Sequence, residues 1–393
     1  MVKRFFLIFL VAGVNHLYAN IDTVYNLNNS GTGSLRTAVL YAGIGDTIVF
    51  NPALLSNGSD TLFLSTPIVL SKRITIKGLY TNSDTIYFAS VLSSRLFVCN
   101  FSSAGFKNVQ FDSLVVASAQ FGNNGGAIYF YQGDTLRVTN SIFRNCNSGK
   151  NGGAIYAQGA TTQNTVVLIN NVRFNTNIAL RKGGSIFTEG VFRVLIRNSF
   201  FMNCQADSGA AVASIHSNTA VTSRLLLNNC NVENNSADFI GGGVYARNIK
   251  DVRINNSWVS SNSAVKGGGA YLHAYNNNGH NTSFIALKSE FSDNSVSDEG
   301  GAIYFADGAS ISLDSTIFNS NYAFQKGAGL YASQVTNYAL ISHSTMDSNQ
   351  TTYGGGALEI TSSKELIANN SEFKYNSVVN GQGGGLAAYS IGK

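Results

Sequence analysis

From residue 121 onward, hydrophobic and polar positions follow a repeating template. One position is filled in turn by Phe143, Phe174, Phe201, Val232, Val259, Phe291, Phe318, Met346 and Phe373. Five and seven residues before each stand two more apolar residues, as in Leu136/Val138, Val194/Ile196, Val252/Ile254 and Ile311/Leu313. Apolar residues two apart lie on one face of a β-strand. Three residues after the Phe position come Cys146, Asn177, Cys204, Asn235, Asn262, Asn294, Asn321, Asn349 and Asn376. Three residues before it come Asn140, Asn171, Asn198, Asn229, Asn256, Lys288, Ser315, His343 and Asn370. A Gly-rich motif closes each period, for example Gly125–Tyr129, Gly152–Tyr156 and Gly300–Tyr304. The period is about 27 to 33 residues, and no segment beyond 120 has a helical spacing.

One period predicts three short strands and three turns. Strands of a few residues cannot bury an apolar face alone. Coiling the chain so that each repeat stacks on the last buries it, at about 4.8 Å per coil. The fold expected is therefore all-β: a right-handed parallel β-helix, or solenoid. Phe over Phe fills the interior, and Asn over Asn hydrogen-bonds along the axis. Gly-Gly-Ala supplies backbone freedom where the coil turns. Both prolines precede residue 68, as expected if each coil's N–H groups pair with a neighbour.

The remaining segments are read by the same means. Lys3 and Arg4, followed by the apolar run 5–14 and Ala19, read as a signal peptide over 1–19, too short to span a bilayer. Residues 20–120 read as an N-terminal cap and irregular first coils. Within them Ser34–Leu40 is expected to form a short capping helix that covers the open solenoid end. Residues 121–393 read as the regular repeats. A repeat array normally ends in an atypical polar cap. None is visible here, so the expectation is a chain truncated at its C-terminus.

Composition narrows the classes. With 44% apolar and 11% aromatic residues, disorder is excluded. The 40 Gly and 46 Asn suit many tight turns, and four Cys are too few for a disulfide framework. The formal charge is +5, falling to +3 without the first residues, which is too weak to argue for a nucleic-acid partner.

Alternation of the GGAI motif (Gly125–Ile128, Gly152–Ile155, Gly300–Ile303) with FxxN (Phe174–Asn177, Phe291–Asn294, Phe318–Asn321, Phe373–Asn376) resembles the repeats of the chlamydial polymorphic outer-membrane proteins. The likeness covers about 270 residues. The opening, Ser30–Arg36 with Gly45–Phe50, looks like the start of secreted bacterial β-helix repeat proteins. The resemblance implies an autotransporter-like β-helical passenger, displayed extracellularly or at the outer-membrane surface, with an adhesin role. Its partners would be a host or neighbour cell surface, through glycan or protein. Membrane contact would come only through a C-terminal anchor, and no such anchor is visible in the sequence.

β-Helices also carry polysaccharide lyases and glycoside hydrolases. Hydrolysis needs two carboxylates roughly 5 to 9.5 Å apart, hence acids stacked in one column. Asp293, Asp298 and Glu299 are the only cluster, and the equivalent turn residues of neighbouring coils are Val265/Lys266 and Gln325/Lys326. The lysines Lys150, Lys182, Lys266 and Lys326 share that turn and read as solvated. No cofactor and no catalytic constellation is expected. The histidines are not at metal-ligand spacing, the GGxGxD calcium repeat is absent, and no metal site is expected. Cys146 and Cys204 lie two coils apart, roughly 9.6 Å, too far for a disulfide.

Two features are candidates for binding. The first is the aromatic column after the Gly motif: Tyr129, Tyr156, Phe187, Tyr245, Tyr271, Tyr304 and Tyr331. Alternation with an inward aliphatic residue places these rings outward, as an exposed row. The second is a stripe of longer loops on every second coil, near 157–165, 214–223 and 273–283, with Tyr275, Asn277 and His280 in the largest.

Overall fold

The computed structural model describes residues 19–392, apart from 82, 92, 102–106, 161–163, 218–222 and 275–281. The signal-peptide segment and the loop residues Tyr275, Asn277 and His280 thus lie outside the described residues, Ala19 excepted. The described chain forms an all-β, right-handed parallel solenoid of about twelve turns. The paired strands run parallel, and each inner one is bonded to its counterparts one coil before and one coil after.

One coil shows the plan. Its strands are Arg193–Arg197, Phe200–Met202, Gln205–Ser208 and Val212–Ile215. There are four strand segments where three were expected. The extra break falls at Asn198, whose φ of 50° interrupts the extended backbone. The same left-handed conformation recurs down its column, at Asn140, Asn171, Asn229, Asn256, Lys288, Ser315, His343 and Asn370. Asn tolerates that region better than most residues, which is why Asn dominates the column. In Thr135–Arg144 and Val166–Asn175 the strand passes through the kink without interruption.

The registers match the sequence columns. Phe143 pairs with Phe174, Phe174 with Phe201, and the column continues through Val232, Val259, Phe291, Phe318, Met346 and Phe373. Rings stack at 5.4 Å for Phe143–Phe174, 4.8 Å for Phe174–Phe201 and 5.1 Å for Phe291–Phe318. One continuous apolar core runs the length of the solenoid.

The interior Asn column is a hydrogen-bonded ladder. Asn294 Nδ2 donates to Asn321 Oδ1 at 3.0 Å and to Val259 O at 2.8 Å. Its Oδ1 accepts from Asn262 N at 3.1 Å and Asn262 Nδ2 at 3.0 Å. The pattern runs unbroken from Asn235 to Asn376. A second polar ladder follows the kink. The Ser199 and Ser257 hydroxyls accept from the backbone N–H of Val172 and Cys230, one coil earlier. A left-handed residue turns the next N–H away from the strand ladder, and a buried N–H needs a partner; the serine supplies it.

Before residue 120 the same stack continues through shorter strands, including Ile21–Val24, Thr47–Phe50 and Ile74–Lys77. A helix spans Leu35–Tyr41, with the Ser34 hydroxyl accepting from Thr37 N. Leu35 and Val39 are buried, and the helix touches strands Ile21–Val24, Thr47–Phe50 and Ile68–Leu70. All four cysteines are buried and free. Asn177 separates Cys146 from Cys204, accepting from Cys146 N at 2.9 Å, while Cys204 Sγ lies 3.0 Å from Ser185 Oγ. Burial pushes the Cys204 and Cys230 thiols up to about 11.

Candidate functional site

The aromatic column after the Gly motif does point away from the main core. Ile128 and Ile155 belong to the interior, whereas Tyr156, Phe187 and Tyr245 form a separate outer cluster with Tyr129 and Tyr271. The expectation of an exposed row is nevertheless corrected. Tyr156, Tyr245 and Tyr331 are buried, and Tyr129, Tyr271 and Tyr304 are half-buried. The coil spacing explains this, because stacked rings cover each other's faces. Tyr129–Tyr156 centroids are 5.2 Å apart and Tyr271–Tyr304 4.6 Å, both nearly parallel. Burial raises Tyr304 to about 12 and also raises Tyr129, Tyr156 and Tyr331. The Arg95 guanidinium covers Tyr129 at 4.4 Å.

Beside this column runs a charged file. Lys266 Nζ lies 2.7 Å from Glu299 Oε2 and 3.2 Å from Asp298 Oδ2, and 5.2 Å over the Tyr304 ring. On later coils Lys326 Nζ lies 3.2 Å from Glu359 Oε1. Glu359 takes the column position after Tyr331. Its side chain is 1% exposed, and the absence of a side chain at Gly354 makes room for its carboxylate. Burial, the largest influence, pushes its pKa above the usual carboxylate range, and Lys326 opposes this. A carboxyl that holds its proton more tightly in the folded state stabilises the fold fully below the unfolded value near 4.5. That contribution is lost as pH rises through the folded value. Thermal midpoints taken from pH 4 to 7 are expected to fall with pH in the wild type more than in Glu359→Gln. Equal slopes would sink the assignment.

His343 stands in the kink column, Nδ1 3.1 Å from Asp314 Oδ1, with Asn370 on its other nitrogen at 3.4 Å. It is part of a side-chain ladder in which Asn171 Nδ2 donates to Asn140 Oδ1 and Asn229 Nδ2 to Asn198 Oδ1, both at 2.8 Å. Among the described residues, no three His, Cys, Asp or Glu side chains converge as metal ligands.

The surface feature that the sequence did not reveal lies beside that kink. The residue before each interior Phe faces outward. Registers join Tyr87, Val115, Ile142, Arg173, Phe200, Asn231, Trp258, Glu290 and Ile317 into one file along the axis. Phe200, Trp258 and Ile317 are 36%, 50% and 43% exposed. Two clefts open along the file. One, of about 400 Å³, is lined by Tyr80, Tyr87, Asn140, Arg144, Asn171 and Arg173. The other, of about 380 Å³, is lined by Asn256, Trp258, Lys288, Glu290 and Ile317. Trp258 Nε1 donates to Glu290 Oε2 at 3.2 Å, which fixes the indole of the chain's single Trp against the sheet. The arrangement offers apolar faces flanked by Asn amides and opposite charges on a rigid sheet, which is binding chemistry.

Residues 288–306 match the Chlamydia polymorphic membrane protein repeat. Over 161 residues the chain is 29% identical to the probable autotransporter YfaL of Escherichia coli (strain K12). That match spans 36% of this chain but 13% of YfaL. Among solved structures, PfbA, a surface adhesin of Streptococcus pneumoniae, aligns over 94% of this chain and 93% of its own. The TM-score is 0.50 at 13% identity, a likeness of fold.

Proposed function

We propose that this chain is a secreted or cell-surface β-helix protein, acting without catalysis as an adhesin-like or structural passenger. The observation that carries the reading is the file of exposed Phe200, Trp258 and Ile317 with its two clefts. Three large apolar groups stand along this line, separated by Asn231 and Glu290 and joined to two clefts, and exposed apolar surface gathered beside clefts marks contact with a partner. The repeat match and the likeness to an autotransporter support display outside the cell. In this reading residues 1–19 direct export, and the helix Leu35–Tyr41 covers the first coil. The partner is a host or neighbour cell surface, met through glycan or protein. The outer edges of Tyr129, Tyr271 and Tyr304, and the loop with Tyr275, Asn277 and His280, are secondary contact candidates.

The test is binding of the purified chain to intact cells, compared with a Trp258→Ala/Phe200→Ala variant. Loss of about tenfold in affinity is expected, since exposed aromatic anchors carry much of such contacts. Unchanged binding would reject the file as the contact site. Incubation with a panel of polysaccharides is expected to leave their lengths unchanged. Shortening of any of them would replace this reading with a carbohydrate-active enzyme.

A further inference from the structure

The charge on the outer face next to the Phe200–Trp258 file is uneven. Five strands, Thr135–Arg144, Val166–Asn175, Arg193–Arg197, Phe200–Met202 and Arg224–Asn228, carry six Arg and no Asp or Glu. The residues are Arg137, Arg144, Arg173, Arg193, Arg197 and Arg224. They occupy outward positions on four successive coils, roughly 14 Å along the axis, and all but Arg224 are exposed. Acids border this face: Asp112 one coil earlier, Glu233 on the fourth coil in the column of Arg144, and Asp251 one coil later. Asp251 pairs with Arg224 at 2.7 Å and Arg253 at 2.8 Å.

Three of these guanidiniums sit over rings. Arg144 lies 5.1 Å over Tyr87, Arg173 5.3 Å over Phe200, and Arg193 4.9 Å over Phe192. A ring beneath the planar fork reduces the freedom lost when it binds. Between the arginines runs an outward aliphatic file, Leu168, Leu195 and Leu226, half-buried and in register. The cleft of about 400 Å³ opens beside Arg144 and Arg173, with the amides of Asn140 and Asn171 on its wall and the single carboxylate of Asp84 in its lining.

We propose that this face binds an acidic polysaccharide lying along the solenoid axis. The inference rests on the surface-binding reading above and names the partner's chemistry. Planar forks match carboxylate or sulfate groups. The leucine file matches the apolar faces of sugar rings, and the Asn amides in the cleft match their hydroxyls. Single-stranded nucleic acid would need a run of exposed rings for its bases. Among the described residues on this face of the four coils, Phe200 alone is an exposed ring; Phe239, also exposed, stands on the strand Ser236–Ile240 of another face.

The test measures binding of the whole chain to heparin, hyaluronate, neutral dextran and oligothymidylate of similar length. Both acidic glycans are expected to bind, with affinity falling steeply between roughly 50 and 200 mM salt, and dextran is expected not to. Retention of heparin alone would assign the contacts to sulfate rather than carboxylate. An R137Q/R173Q/R193Q/R197Q variant, with unchanged circular dichroism, is expected to bind about tenfold or more weakly and with a shallower salt slope. Three results overturn the proposal: no binding of either acidic glycan at low salt, equal binding by the variant, or oligothymidylate displacing heparin at equal affinity. Cell binding that survives in the variant while heparin binding was absent throughout would sink this proposal alone and leave the adhesin reading standing.

Discussion

Asn294→Ala is expected to lower the unfolding free energy by about 4 kcal/mol, because it opens the interior amide ladder at its middle. Asn294 is fully buried and its side chain joins three coils. Without it, Val259 O, Asn262 N–H and one Asn262 amide hydrogen lose their partners inside the core. Each stranded buried group costs about 1–3 kcal/mol. Truncating Asn256, which is exposed and hydrogen-bonds only along the outer ladder, is expected to cost about 1 kcal/mol. Denaturant melts of both variants, read with hydrogen exchange around residues 259–294, check the contrast. Similar small losses for the two would mean that the interior ladder is not a principal source of stability. In a stacked array the damage should be greatest in the adjoining coils.

Gly152→Ala is expected to cost about 2–4 kcal/mol and to reduce the yield of folded protein. Gly152 has φ +67°, and Gly183, Gly300 and Gly327 in the same column have +67°, +70° and +59°. A Cβ on Gly152 would lie 2.2 Å from Ile155 O and 2.9 Å from Tyr156 N, atoms of the backbone that starts the next strand. Strain and collision add at this site, and neither is relieved by a side-chain rotation. Gly190 makes the control. Its φ is +63°, yet the nearest atom to an added Cβ is 3.8 Å away, so its replacement should cost only the backbone strain. A shift in thermal midpoint no larger for Gly152→Ala than for Gly190→Ala would refute the argument.

Much of the fold is legible in the sequence, because interior positions must repeat to stack. Phe174, Asn294 and Gly152 each sit where a neighbour one coil away imposes residue type, so their spacing carries the architecture. Outward positions meet solvent and are under no such demand. Trp258 and Arg173 share a file only once register is known, and nothing in their spacing marks them. The kink at Asn198 was hidden for another reason. Asn appears in the turn columns and in the interior ladder, and spacing does not distinguish a left-handed backbone from a buried amide. The Tyr column was legible in direction but not in exposure, since burial there comes from ring on ring rather than from the core. Glu359 breaks the column's chemistry, and its meaning depends on the space that Gly354 leaves for it.

The parallel ladders have a mechanical consequence. Backbone hydrogen bonds between coils point along the solenoid axis, so traction on one end of the chain peels coils in order instead of shearing many bonds together. From Phe174 to Phe201 one coil holds 27 residues, and its release yields roughly 90 Å of extended chain. Under load, a molecule built this way behaves as a ratcheted spool. It lengthens in steps, each small in force, while the coils still wound keep their surface intact.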